Sequence, residues 1–163
     1  MAQPSNRELK LDPRVELHKS GEIPASADEV WALLTDWAGM MRWSLSARRG
    51  GALGTLVGCE LIGEAGKVPR TRRMILSSGA AVEEELFYQN NETKRIIYRK
   101  TDTFGTRGYV ASSYVDAVDS RTSRLHILSW FDAEEDSSAA AARYSAIYEG
   151  IFEGFRTYFA TVT

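Results

Sequence analysis

Residues 22–43 read EIPASADEVWALLTDWAGMMRW, and the change of period inside this stretch decides the fold. Pro24 closes an extended run. Ser26 followed three residues later by Glu29 is the pattern of a capping box, in which the hydroxyl satisfies a free amide of the first turn and the carboxylate reaches back. Val30, Leu33, Leu34, Trp37 and Met41 then recur at helical spacing, so an amphipathic helix broken near Gly39 lays one face on a core. Trp31, Trp37 and Trp43 are three of the chain's four tryptophans, and they belong either to that core or to the wall of a cavity. Trp37 reads as core and Trp31 as helix flank. Trp43, beyond the break, reads as pocket rim together with Met40 or Met41.

Working outward, RVELHKSGEI (14–23) places Val15, Leu17 and Ile23 on odd positions, the alternation of a half-buried strand with His18 toward water. Residues 1–12 are polar and patternless and read as a loosely held tail before a domain spanning 13–163. Downstream, ARRGGALGTLVG (47–58) is rich in glycine but lacks the Lys-Ser/Thr pair and the following helix of a phosphate-cradling loop. Alternating segments follow at 56–63, 67–76, 81–89, 94–101, 106–117 and 123–132, an antiparallel meander. Near the C-terminus Tyr144, Ile147, Tyr148, Ile151, Phe155 and Tyr158 mark one face of a long helix. The order is that of an α+β domain: a strand, two short helices, a six-strand meander and a helix wrapped by a curved sheet.

A chain of 163 residues, 44% of them hydrophobic, can bury one core without a disulfide or metal staple. A net charge of −2 provides no basic footprint for a phosphate backbone, so nucleic acid is not an expected partner. Cys59 is the single cysteine, and no charged-then-apolar leader opens the sequence, so a reducing cytoplasm is the expected compartment. No run reaches the roughly 18 apolar residues of a membrane span, so no membrane insertion is expected. One cysteine and two histidines expected on sheet exteriors make no metal constellation and no Cys-His nucleophile, and no cofactor is expected.

The front stretch EIPASADEVWALLTD, with SWFDAEED before the last helix, resembles the START/Bet v 1-like (SRPBCC) superfamily, in particular its polyketide cyclase/dehydrase members, over about residues 13–160. EEELFYQNNETKRIIYRKTD and RGYVASSYV resemble strands of plant abscisic-acid receptors. The resemblance implies a helix-grip fold: seven curved antiparallel strands around the C-terminal helix, enclosing an apolar pocket. It also implies a family of carriers, sensors, aromatase/cyclases and lyases, so fold alone does not choose a function. LSSGAA and TDTFGTRGY resemble the gate and latch loops of the receptors, but they lack the receptor proline and histidine, so hormone-type partner recruitment is not implied.

Alternation assigns the inner faces independently. It points Val82, Glu84, Leu86 and Tyr88 inward from one strand, and Val68, Arg70, Arg72, Met74 and Leu76 from its neighbour. Glu84 is the odd carboxylate on an apolar face, at a position the resemblance also assigns to the pocket, and a buried carboxylate calls for a guanidinium, either Arg72 or Arg70. Ile96, Tyr98 and Lys100 follow, then Tyr109, Ala111, Ser113 and Val115, then Leu125, Ile127, Ser129 and Phe131. With Trp43, Met41 and the helix face Tyr144, Ile147, Tyr148, Ile151 and Phe155, these make a greasy cup holding phenols and one ion pair, suited to a hydrophobic ligand bearing carbonyl or hydroxyl groups. As an enzyme, Glu84 would remove a proton beside a carbonyl while Arg72, Tyr98 or Tyr109 stabilises the enolate oxygen, the chemistry of a cofactor-independent cyclase/dehydratase of specialised metabolism. The rival reading is a non-catalytic carrier or sensor. A third uses the outer face, where Val110, Tyr114, His126, Leu128 and Trp130 form a candidate homodimer patch.

Overall fold

Alternation and capping translate into a seven-stranded antiparallel sheet in the order β1-β7-β6-β5-β4-β3-β2, curved around one long helix. The structure is a computed structural model that describes residues 13–50 and 54–162; the tail expected over 1–12 lies outside the described residues. The strands are β1 (Arg14–Ile23), β2 (Leu56–Ile62), β3 (Arg70–Leu76), β4 (Ala81–Asn90), β5 (Arg95–Lys100), β6 (Thr106–Ala117) and β7 (Ser123–Ala133). Helix α1 (Ala27–Thr35) follows β1, then a 3₁₀ turn (Gly39–Arg42) and a short α2 (Ser46–Arg49), while α3 (Ser137–Thr161) closes the chain.

The capping box forms as read: Glu29 N donates to the Ser26 hydroxyl, and Ser26 N donates to the Glu29 carboxylate at 2.9 Å. The helix, however, stops at Thr35, short of the stripe that runs to Met41. Trp37 falls in the turn beyond it and points under the sheet, where its indole Nε1 donates to the Glu84 carbonyl at 3.1 Å. The expected pair of helices is therefore two short helices joined through a 3₁₀ turn.

Two glycines set how closely the layers approach. A Cβ at Gly21 would meet the Phe152 ring at 2.7 Å, and one at Gly154 would meet the Trp43 carbonyl at 2.6 Å. Glycine at these positions lets α3 lie against β1 on one side and against the 43–46 segment on the other. In the core beneath α3, Leu86, Ile96, Ala111, Leu125, Ile127 and Phe131 are almost fully buried.

Register departs from simple alternation on β4. Leu86 pairs with Tyr98, but Tyr88 pairs with Ile97, so Phe87 is an extra residue on β4. Such a bulge turns every later side chain to the other face. Tyr88, read as inward, is 40% exposed, and Gln89 is turned partly inward instead. Val68 likewise lies outside β3, which begins after Pro69, and is exposed.

On the convex face, Val110, Tyr114, His126, Leu128 and Trp130 are all partly exposed, as the pleat requires. Part of this surface already has partners: the Tyr114 ring stacks on His126 at 4.2 Å and carries Arg95 on its other contacts, and His126 Nδ1 meets His18 Nε2 at 3.1 Å. His18 itself is exposed, as its parity indicated.

Candidate functional site

Three neighbouring strands bring three charges into one row. Arg72 on β3 pairs in register with Glu84 on β4, and Glu84 pairs with Lys100 on β5. All three side chains point to the concave face, giving the order cation, anion, cation. Glu84 is 8% exposed and Lys100 7%.

The two cations are held differently. Arg72 donates from Nε to Glu84 Oε2 at 2.7 Å, with Nη2 at 2.5 Å from the same oxygen, so Oε1 stands outside the ion pair. The guanidinium also lies 3.8 Å over the Trp37 ring, a geometry that stabilises a desolvated cation. Burial works against its charge, but the adjacent carboxylate outweighs this and holds the Arg72 pKa above its ordinary value. Lys100 has no carboxylate at ion-pair distance among the described residues. Its Nζ donates to the Tyr144 hydroxyl at 2.7 Å, the Thr106 hydroxyl at 2.9 Å and, more weakly, the Thr103 carbonyl at 3.4 Å. Burial lowers the Lys100 pKa to about 8, with Glu84 opposing the shift.

Phenols continue the polar wall. The Tyr109 and Tyr148 hydroxyls are 2.8 Å apart, and Tyr148 donates to Ser129 Oγ at 2.6 Å. Burial pushes the Tyr98 phenol up to about 12, and the Tyr109, Tyr144 and Tyr148 phenols also rise for the same first reason, so all four stay protonated donors at neutral pH.

Opposite this wall lies an apolar space. The cavity measures about 330 Å³ and is lined by Met40, Trp43 and Leu45, by Leu56, Met74, Leu76 and Val82 from the sheet, and by Ala146, Ile147, Gly150 and Ile151 from α3. Glu84, Arg72, Lys100, Tyr98, Tyr109, Tyr144 and Tyr148 complete it, with Ser44, Ser46 and Arg49 among the rest of the lining. Ten of the residues expected in the site are thus brought together: Glu84, Arg72, Tyr98, Tyr109, Trp43, Val82, Tyr144, Ile147, Tyr148 and Ile151.

Other expectations are corrected. Arg70 is buried, but it does not share Glu84; it donates to the Lys67 and Thr35 carbonyls at 2.8 and 2.9 Å and to Gln89 Oε1 at 2.7 Å, clamping the C-terminus of α1 to the sheet. Met41 is 36% exposed, because the 3₁₀ turn directs Met40 rather than Met41 into the cavity. Tyr88 is turned out by the bulge. Leu86, Ile96, Ala111 and Ser113 face inward but belong to solid core beside the cavity, as do Ile127, Ser129, Phe131 and Phe155. The reason is filling by aromatic rings: Phe131 packs 5.7 Å from Tyr109 and 4.7 Å from Tyr144, and Trp43 packs 4.7 Å from Phe155, so the open space lies beyond these rings, toward β2–β4. Ser129 still supports the site from behind through Tyr148.

Parity with Ile96 and Tyr98 points Lys100 inward, but nothing in the sequence assigns it a role. The missing signal is the neutral cage around it, which joins Thr103 and Thr106, just downstream, to Tyr144 on α3, distant in sequence. Met74 and Leu76 line the cavity as their alternation indicates, while Leu56 lines it without any distinguishing motif. Among the described residues no group of three or more His, Cys, Asp or Glu is placed to hold a metal ion, and no helix is long and apolar enough to cross a membrane.

Comparison with known proteins places this architecture. The aromatase/cyclase ZhuI from Streptomyces sp. R1128 superposes with a TM-score of 0.69 at 13% identity, over 92% of this chain and 96% of that one. Norcoclaurine synthase from Thalictrum flavum, solved with dopamine and hydroxybenzaldehyde, gives 0.67 at 16% identity over 92% and 88%. A START superfamily protein from Mycobacterium smegmatis gives 0.73 at 11% over 91% and 99%. At such identities the likeness is one of fold. No curated protein sequence matches the chain. A sequence-family model described as polyketide cyclase / dehydrase and lipid transport matches residues 14–160, nearly the whole helix-grip unit, and the chain belongs to that family.

Proposed function

We infer that the protein binds a hydrophobic small molecule in the cavity between the sheet and α3 and acts on it as a cofactor-independent cyclase or dehydratase. The observation that carries the reading is the row Arg72–Glu84–Lys100 beside four protonated phenols on one wall of a cavity whose remaining lining is mostly apolar. An apolar space with a few convergent polar groups is the usual form of a small-molecule site.

The chemistry follows from the positions. Glu84, fixed by Arg72 through Oε2, offers Oε1 to a C–H beside a ligand carbonyl. When that proton moves to Oε1, the C–H electron pair shifts toward the carbonyl and negative charge grows on its oxygen. The Lys100 ammonium and the Tyr144 hydroxyl it donates to stand on the same wall as donors for that oxygen. The enolate carbon can then attack a second carbonyl of the same chain, forming a carbon–carbon bond, and the new alkoxide takes back the proton held by Glu84, which returns to the carboxylate. Glu84, a carboxylate again, then takes a second α-proton and passes it to the departing hydroxyl, which leaves as water and completes a dehydration with Glu84 regenerated. No metal or redox step enters this sequence.

A carrier or sensor is the second reading, favoured by one specific feature: Lys100 and Arg72 already have partners, so the wall is at rest without a ligand. Incubation with linear β-polycarbonyl thioesters separates the two. Multiple-turnover formation of cyclised, dehydrated product that Glu84→Gln abolishes supports the enzyme. Stoichiometric binding without turnover supports the carrier.

A further inference from the structure

Charge on the cavity wall is unbalanced. Arg49, Arg72 and Lys100 line it against one carboxylate, Glu84. Glu84 is committed to Arg72, and Arg49 turns to Glu153 on α3 at 3.5 Å. Lys100 is left as a buried ammonium whose partners are two hydroxyls and a carbonyl, all neutral. The other charged and titratable groups facing it are Glu84 from β4, Asp102 beyond β5, Arg143 and Tyr144 from α3 and Tyr109 from β6. Of these, Asp102 is exposed and accepts the Gly108 amide, and Arg143 pairs with Glu135, so neither neutralises the lysine inside the cavity.

We propose that the cavity selects hydrophobic anions, ligands whose carboxylate, sulfonate or ionised enol sits against Lys100 and Tyr144 while the hydrocarbon body fills the space toward Trp43, Met74 and Ile147. This rests on the small-molecule reading above and names the ligand class. Burying an ion is unfavourable unless it is paired, and here each partner supplies what the other lacks. A neutral ligand leaves the ammonium uncompensated, and a cationic one adds a second positive charge. The Tyr144 hydroxyl, accepting from Lys100, can turn its own hydrogen from Thr106 to the ligand anion.

A matched pair of probes tests it: anilinonaphthalene sulfonate and N-phenylnaphthylamine, the same ring system with and without the sulfonate, titrated by fluorescence. Lys100→Met should lower the ratio of sulfonate to neutral affinity by about ten- to a hundredfold, the usual range for a desolvated charge-assisted contact. In the unmutated protein the same ratio should fall as pH rises through about 8, where the free lysine loses its proton, and approach a tenfold drop per unit until the lysine of the complex titrates. The pH series needs no variant and stands even if Lys100→Met misfolds. A ratio unchanged by the substitution and flat between pH 7 and 9 overturns the anion selectivity while neutral-probe binding upholds the cavity. Failure of the unmutated protein to bind either probe overturns the small-molecule reading itself.

Discussion

Glu84 and Lys100 are register partners across β4 and β5, yet they are not an ion pair: the carboxylate is held by Arg72 and the ammonium by neutral oxygens. This arrangement puts a charge-paired anion and a cation with only neutral partners side by side in one cavity wall.

The Arg72–Glu84 pair is almost fully withdrawn from water, so breaking it from one side should cost far more than removing both charges. Glu84→Leu alone leaves a buried guanidinium and Arg72→Met alone a buried carboxylate, and each should destabilise by about 3–5 kcal/mol, while the double change Arg72→Met, Glu84→Leu should cost much less or nothing. Urea denaturation of the two single variants and the double variant gives the coupling energy directly. Equal losses for single and double variants would refute the pairing.

Lys100 also leaves a mark on stability. Its folded pKa, about 8, lies below the ordinary lysine value, so between these two values the unfolded chain holds a proton that the native state has released. Stability therefore rises with pH from 8 upward, and the cost of the buried charge is fully present below 8. The phenols oppose this above pH 10, where unfolded tyrosines ionise and the buried ones do not. From pH 8 to 10 the native protein should gain on the order of 1–2 kcal/mol relative to Lys100→Met, measured by denaturation at each pH.

Close approach at Gly154 is equally testable. A methyl group there would press on the Trp43 carbonyl, and the cost of such overpacking is typically about 1–3 kcal/mol. Gly154→Ala should lower the unfolding midpoint and shift tryptophan fluorescence through displacement of Trp43. Gly150, which also lies on α3 but has open space beside it, should accept alanine without loss.

Ser26→Ala removes the hydroxyl that accepts from Glu29 N at the start of α1 and leaves the backbone contact of residue 26 with the Glu29 carboxylate. The expected loss is about 1 kcal/mol, and Ser26→Asp should restore most of it. Thermal unfolding of the two variants checks the order.

Most of the architecture was legible because two periods, one of two and one of about 3.6, carry it, and because the cap at Ser26 marks the switch between them. Parity on β4, β5 and β6 placed Glu84, Tyr98 and Tyr109 correctly on the concave face. Parity cannot report position along a strand, which is why Arg70 and Arg72 looked equivalent although one clamps α1 and the other holds Glu84. Nor does it report where a bulge falls: EEELFYQ contains no glycine or proline to mark Phe87, so Tyr88 was assigned to the wrong face. The border between cavity and solid core was hidden for a third reason. It depends on how Phe131, Tyr109, Tyr144 and Trp43 pack across four elements, a relation that no single segment contains.

The central claim is that a hydrophobic molecule occupies the space beside the Arg72–Glu84–Lys100 row. Ile147→Trp should fill that space from α3 without touching the row, and titration with N-phenylnaphthylamine compares the filled and open proteins directly. The account requires one saturable site in the unmutated protein and an affinity at least about tenfold weaker in a variant that unfolds at the same midpoint. Equal affinity in the two proteins, or no binding in either, would contradict it.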